Sequence, residues 1–513
     1  MLARVFSCAV VGLDGELVEV EVDISRGAAQ PNTTIVGLPD IAVQESKERI
    51  RAAIRNSGLT YPFNSRITVN LAPADLRKEG PSYDLPIAVG MLVASGQVVA
   101  NIDDSAFIGE LALTGDVRPV RGVLPMAALA RARGMTRLFV PSANAPEASL
   151  VRGLDVYPVA SLPALAAHLL GAVPIAPHTG EVASAPQSTT GPVTDFADIV
   201  GQEHAKRAIE VAAAGGHNLI MRGPPGSGKT LLARAIPTIL PPMTDDEAME
   251  VTRIYSVAGL MPAGAGLVRT RPFRAPHHTI SNAGLVGGGS PPRPGEITLA
   301  NRGVLFLDEL PEFDPRVLEV LRQPLEDRIV TISRARYTAT FPANFALVAS
   351  MNPCRCGFYG DPDRPCTCPP MAVSAYQRRI SGPLLDRIDL FIDVPQVDFE
   401  KLAAAPKSEP SAAVMARVRD ARERQDARFT AAGIPSIHTN AEMTSPLVRD
   451  FVQLTMDEAA ADLLRMAVKQ LNLSARAFHR LLKLARTIAD LAGDERVSSA
   501  HVAESIQYRE RSD

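Results

Sequence analysis

Gly223-Pro224-Pro225-Gly226-Ser227-Gly228-Lys229-Thr230 is a complete G-x-x-x-x-G-K-T stretch, set between the apolar run NLIM and the apolar, helical LLARAI. Glycines at this spacing let backbone N–H groups turn toward phosphate oxygens, and a helix N-terminus adds its positive end. The pattern predicts that Lys229 reaches the outer phosphates of a nucleotide and that the Thr230 hydroxyl completes a Mg²⁺ shell. A second apolar run, VLFL, ends in Asp308 and Glu309. One carboxylate at the end of a buried strand can hold the metal ion, and its neighbour can orient or deprotonate a water. An acidic pair also favours a helix start, but the apolar residues before it and the phosphate loop upstream favour catalysis. A third run, FALVASM, ends in Asn352, whose amide is expected beside the terminal phosphate. Asn before Pro is otherwise only a turn signal.

Four of the five cysteines fall within CRCGFYGDPDRPCTC, as Cys354, Cys356, Cys366 and Cys368. Two C-x-C pairs joined by a Gly- and Pro-containing loop can close a tetrahedral Zn²⁺ site, and no His or carboxylate nearby suggests an open catalytic position. A disulfide is disfavoured in a reducing compartment, and unrelated thiols do not explain the density. The expectation is structural zinc.

These groups need elements to hold them. At 513 residues the chain exceeds one ordinary core. Its composition is that of a globular protein, and a net charge of −3 gives no global pull toward nucleic acid. The N-terminal apolar run passes into the alternating LVEVEVDI, which reads as a strand and not as a secretion signal. The longest apolar run, residues 85–100, is too short and too interrupted to span a bilayer and reads as a buried helix. A cytoplasmic protein with no membrane partner is expected. Residues 1–170 mix short strands and helices, and 171–196 form a Pro/Gly/Ser/Thr-rich linker. Residues 197–395 alternate strands and helices in the α/β manner, and 396–513 are helical. In ARAFHRLLKLARTIADL, Phe478, Leu481, Leu482, Ala485, Ile488 and Ala489 keep an amphipathic rhythm.

The long motifs RPFRAPHHTIS, GGGSPPRPGEITLANRGVLFLDELPEF, VLEVLRQPLEDR, SGPLLDRIDL and LSARAFHRLLKLARTIADL resemble the ComM/YifB branch of the Mg-chelatase-like AAA+ ATPases, almost end to end. The resemblance implies an α/β multidomain chain: a Lon-protease-like α+β N-terminal domain, an AAA+ core with a parallel sheet, and a helical C-terminal lid. It implies ATP and Mg²⁺ as cofactors, a hexameric ring, and Arg387 as an arginine finger serving a neighbour's ATP. The other reading of Arg387 is a salt bridge with Asp386 or Asp389. Arg476 matches a sensor arginine acting in cis or in trans.

Roughly eighty residues separate the phosphate loop from Asp308, more than a minimal crossover requires. This excess carries Arg269, Arg271 and Arg274, and a predicted hairpin further on carries Arg334 and Arg336. Arginines on loops can hold DNA phosphates without reading sequence; the other reading of each is a solvated loop residue. His277 and His278 point apart in an extended loop and are not expected to hold metal. In the N-terminal block, GPSYDLPIAVG places Ser82 where the Lon fold keeps its nucleophile, but the expected general-base lysine aligns with Leu124. An unassisted serine is a weak nucleophile, so no peptidase activity is expected. The implied function is an ATP-driven DNA motor, with branch migration of recombination intermediates during natural transformation as its task. Of the alternatives, a chelatase-type ATPase has no need of the Lon-like block, an ATP-dependent protease fails at Leu124, and a remodeller of a protein partner stays open.

Overall fold

The computed structural model describes residues 1–26, 32–179, 194–261, 266–289, 292–334, 337–362, 364–397, 408–434 and 436–509. Alternation sets the first sheet. Strands β1 (Leu2–Val11) and β2 (Asp14–Arg26) form an antiparallel hairpin in which Val18, Val20 and Val22 are buried, with Glu19 and Glu21 on the opposite face. The block continues with β3 (Asn32–Val36), α1 (Ile41–Asn56), β4 (Ser65–Ala72), α2 (Asp84–Ala94), β5 (Ser105–Phe107), α3 (Val123–Ala132), β6 (Arg137–Pro141) and β7 (Asp155–Val159). These strands make one mixed sheet in the order β3-β4-β2-β1-β5-β6-β7. Helix α2 is the expected buried helix, but it is shorter than the apolar run: Ser95 caps it and Gly96 turns the chain at a φ of +78°. Ten of its residues are buried, so it shows no amphipathic stripe.

The second block begins with α5 (Glu203–Gly215) once a short α4 (Leu162–Leu169) has closed the first. It continues through β8 (Leu219–Arg222), α6 (Lys229–Ile239), α7 (Asp245–Ala258), β9 (Phe273–Arg274), β10 (Val304–Leu307), β11 (Ile329–Arg334), β12 (Tyr337–Pro342), β13 (Ala346–Met351) and β14 (Leu390–Asp393). Five strands form a parallel sheet in the order β9-β10-β13-β8-β14, whose central strands are mostly buried because helices cover both faces. Strands β11 and β12 form the expected hairpin. The C-terminal helices are α8 (Ser411–Ala431), α9 (Glu458–Gln470), α10 (Ala475–Ala492) and α11 (Ser499–Gln507). The rhythm of α10 buries Leu481, Leu482, Ala485, Ile488 and Ala489, with Phe478 packed at the edge of the same cluster.

The first two blocks touch through α3 and α7. Gly122 N–H donates to the Ser256 carbonyl at 3.0 Å, and Arg253 Nε donates to the Leu13 carbonyl at 2.7 Å. Leu13 itself is buried in an apolar cluster of the second block. Of the expected linker, His178 N–H still bonds the Val156 carbonyl, and 180–193 lie outside the described residues. Among the described residues no helix is long and apolar enough to cross a membrane.

Candidate ATP site and its two edges

The loop between β8 and α6 leaves the C-terminal edge of the parallel sheet, where a parallel fold gathers its ligands. Gly228 adopts a φ of +91° just before Lys229 opens the helix, a conformation that L side chains avoid. Lys229 is 9% exposed, and its ammonium donates to the Gly223 and Pro224 carbonyls at 2.8 Å each and to Asn352 Oδ1 at 3.2 Å. Burial pushes the Lys229 pKa below its ordinary value, and the carboxylates of Asp308 and Glu309 pull it back. The Thr230 hydroxyl donates to Asp308 Oδ2 at 2.9 Å. Thus the sequence-predicted Lys229, Thr230, Asp308 and Asn352 meet at the ends of three adjacent strands.

Ser350 was not foreseen. Its hydroxyl donates to Asp308 Oδ1 and accepts the Glu309 N–H at 3.1 Å, so it fixes both acids from inside β13. Glu309 holds a φ of +53° and ends β10 abruptly, which turns its side chain away from the path the strand would dictate. No sequence signal marks Ser350, because a serine within an apolar strand looks like tolerated core. Beside the loop lies a cavity of about 890 Å³ lined in part by Gly201, Gln202, His204, Met351 and Gln396. Gln396 Nε2 donates to the Pro225 carbonyl at 3.2 Å, and Gln202 Nε2 to the Pro395 carbonyl at 2.5 Å. This partly apolar space can receive a flat base joined to phosphates on the loop, and these residues too were missed.

Arg387 sits at the other edge. Asn218, the residue before β8, donates from Nδ2 to the Arg387 carbonyl at 2.9 Å and accepts the Asp389 N–H at 3.0 Å. Four residues of β8 separate that edge from the phosphate loop, about 13 Å of strand at ~3.3 Å per residue. The Arg387 side chain pairs with Glu326 and donates to the Pro383 carbonyl at 2.7 Å. The salt bridge suggested for it with Asp386 or Asp389 is therefore replaced by one with Glu326, which the fold brings in from sixty-one residues away. Its Nε is buried without an acceptor among the described residues. Arg476, at the start of α10, lies 3.5 Å from Asp386 on this same edge. Both arginines line a cavity of about 530 Å³ with Arg328, Arg480, Lys483 and Glu442.

The four thiols converge. The Sγ atoms of Cys354, Cys356 and Cys366 lie 3.3 to 3.6 Å apart, and all four sulfurs fall within 4.8 Å of one another. A tetrahedron with metal–sulfur bonds of ~2.3 Å has edges of roughly 3.8 Å, so the cluster fits a four-coordinate ion. Gly357 in this loop lies against Pro225: a Cβ there would come within 2.4 Å of the proline ring. The thiol loop therefore abuts the phosphate loop of its own chain.

The expected DNA arginines divide. Arg269 is 48% exposed and pairs with Asp245 at 2.8 Å. Arg271 is 8% exposed, paired with Glu247 and bonded to the Pro241 and Arg302 carbonyls. Arg274 is clasped by both oxygens of Glu296 at 2.6 and 2.7 Å. For Arg271 and Arg274 the expectation of a loose phosphate contact gives way to internal ion pairing. Arg334 ends β11, but its side chain lies outside the described residues, as does the whole of Arg336. His277 and His278 do not point apart as expected: their rings lie 4.0 Å from each other, and His277 Nδ1 bonds the Thr279 hydroxyl. Ser82 is nearly buried in the turn Pro81–Tyr83, and Leu124 is buried, with its N–H bonded to Glu147 Oε1 at 3.0 Å. The ammonium of the nearby Lys78 is held by the Pro73 carbonyl.

A parallel five-stranded sheet carrying a phosphate loop, an acid pair on the neighbouring strand and a helical C-terminal region defines an AAA+ ATPase. More narrowly, the chain belongs to the ComM/YifB family of Mg-chelatase-like AAA+ proteins. Residues 195–402 match the family of magnesium chelatase subunit ChlI, 20–144 the family of subunit ChlI of Mg-chelatase, and 408–509 the ChlI C-terminal family. The chain is 45% identical over 512 residues to competence protein ComM of Haemophilus influenzae, covering 99% of this chain and 97% of that one. It is 43% identical over 513 residues to the uncharacterized protein YifB of Escherichia coli, covering 99% and 97%. A Lon protease of Mycolicibacterium smegmatis is 27% identical over 162 residues, 29% of this chain and 20% of that one.

Proposed function

We propose that the protein is a ring-forming, ATP-driven DNA motor of the cytoplasm, a hexamer that migrates branched recombination intermediates during natural transformation. The observation that carries the ring is the separation of parts. The phosphate loop, Asp308 and Glu309 lie at one edge of the sheet, and Arg387 and Arg476 lie at the other. An arginine stabilises the transferring phosphoryl group only by touching it, so in this reading Arg387 serves a neighbour's nucleotide, and Arg476 is the sensor arginine that contacts phosphate in cis or in trans. The competence name of a relative similar over its whole length supports the DNA role.

In this reading the loop N–H groups and Lys229 bind the outer phosphates, Glu309 orients and deprotonates the attacking water, and Asn352 reports the terminal phosphate. Thr230 and Asp308 would hold Mg²⁺, which when bound offsets phosphate charge. Cys354, Cys356, Cys366 and Cys368 would hold Zn²⁺, which ties the loop and takes no part in chemistry. Arg269, Arg334 and Arg336 remain the proposed DNA contacts. The N-terminal block serves assembly or DNA contact without peptidase activity, since Leu124 cannot accept a proton.

The test is ATP turnover and strand displacement on a forked or four-way DNA, comparing wild type with Glu309→Gln. DNA-stimulated turnover and branch movement by wild type alone support the motor. Absence of DNA binding and of DNA-stimulated turnover sinks it in favour of a motor that remodels a protein partner. Metal analysis should find about one zinc per chain, and four freely titrating thiols in the native protein would overturn that assignment.

A further inference from the structure

Arg480 is engaged with the turn that carries Arg387. It lies one helical turn after Arg476 on α10, so the two arginines share a face. Arg480 Nη1 donates to the Leu385 carbonyl at 3.1 Å and to the Ile388 carbonyl, the acceptors on either side of Arg387. Arg476 meets the carboxylate of Asp386, the residue just before Arg387. The turn has a second anchor in Asn218, which donates to the Arg387 carbonyl itself. The Arg387 side chain, by contrast, is held by Glu326 and the Pro383 carbonyl, with Nε unpartnered among the described residues. The backbone of the finger is thus fixed from the lid helix and from the sheet, while its guanidinium keeps one donor unused.

We infer that Arg480 is a positioning residue for the arginine finger: it locks the Leu385–Ile388 turn to the lid helix, so that the lid of one subunit aims Arg387 at the ATP of the next. This rests on the trans role proposed above for Arg387. In this role Arg480 acts through the turn it holds and not on the phosphate itself: it denies the turn freedom to swing. Misplacing a catalytic group by about 1 Å costs on the order of 10²-fold in rate, and the loss must fall on the neighbour's site and not on the subunit that carries the change.

The experiment uses full-length rings and steady-state ATP turnover. Arg480→Ala is expected to lower kcat by roughly 10²-fold while the KM for ATP stays within about twofold. Added to Arg387→Ala it should cost nothing further, because the finger it positions is already gone. Mixing Arg480→Ala subunits with Glu309→Gln subunits should restore turnover. In such rings an intact acid on the first is served by an intact finger from the second, whereas neither homogeneous ring works. Losses that multiply with Arg387→Ala, a kcat and KM that worsen together, or mixed rings that stay silent each overturn the inference. If Arg480→Ala does not assemble, Arg480→Gln, which keeps an N–H donor, carries the same comparisons. Failure of both to assemble assigns Arg480 to stability and also overturns it. Normal turnover by Arg387→Ala refutes the finger itself, whereas an inactive Arg387→Ala beside an unaffected Arg480→Ala refutes only the positioning role.

Discussion

Gly357→Ala probes whether the thiol loop really holds the phosphate loop in place. The glycine has a φ of +88°, and an added Cβ would stand 2.4 Å from Pro225 Cδ and 2.8 Å from Cγ. Ordinary contact begins near 3.4 Å, so one of the two loops must give way by 3.4 − 2.4 = 1.0 Å. The proline ring belongs to the phosphate loop and cannot rotate aside as a flexible chain could. A shift of that size costs about 10²-fold in rate, or roughly 2.7 kcal/mol of transition-state stabilisation. The positive φ adds about 1–2 kcal/mol of conformational strain for any L residue. Gly360 supplies the control: its φ is +76°, yet among the described residues a Cβ there meets nothing within 4 Å. Gly360→Ala should carry the strain alone, lowering the melting temperature without touching turnover. Gly357→Ala should lose stability and about two orders of magnitude in kcat. Turnover and melting curves on both variants, with zinc content measured in parallel, decide it. Equal kcat for the two alanine variants at equal zinc content refutes the reasoning, since the clash would then be absorbed wholly on the thiol side.

Three further outcomes are expected elsewhere in the chain. Asp84 is fully buried and its partners are Arg49, Ser46 and the Leu111 N–H, so Arg49→Ala strands a buried carboxylate. A loss of roughly 3–5 kcal/mol in the chemical unfolding of the N-terminal block checks this. The Arg137 guanidinium, with the Thr136 hydroxyl, holds the Asp104 carboxyl down at about 2 from an ordinary 3.8. Because the folded value is the lower one, this stabilisation is complete above 3.8 and disappears as pH falls through about 2. Asp104→Asn should therefore melt earlier than wild type at pH 7, with the gap closing across that acid window. Leu124→Lys should not create a peptidase, because Leu124 is buried beside Ser256 of α7; its signature is a lower melting temperature with no cleavage of unfolded casein.

What could be read from sequence was what is local. The phosphate loop occupies consecutive residues, the acid pair ends one strand, and the thiols lie within fifteen positions, so their chemistry shows in the order of letters. The parallel sheet was legible for the same reason, as apolar strands that end in polar residues. Contacts between distant segments were not. Arg271 looks like a free loop arginine until Glu247 arrives from α7 to bury it, and Arg387 finds Glu326 instead of its adjacent aspartates. Ser350 matters only because β13 lies beside β10 in the sheet. The extent of α2 was overread because an apolar run records burial, and Gly96 ends the helix before the burial ends.

The direction of the parallel strands has one more consequence. If the groups that receive ATP and those that complete another subunit's site lie at opposite edges of five co-directional strands, a solitary chain owns two unfinished halves and no whole site. Turnover then becomes a property of encounters. Specific activity should climb steeply with protein concentration and fall toward zero on dilution, although every chain still binds nucleotide. Simple abundance would then act as the switch, and a modest rise in copy number would bring on activity with no ligand needed to trigger it.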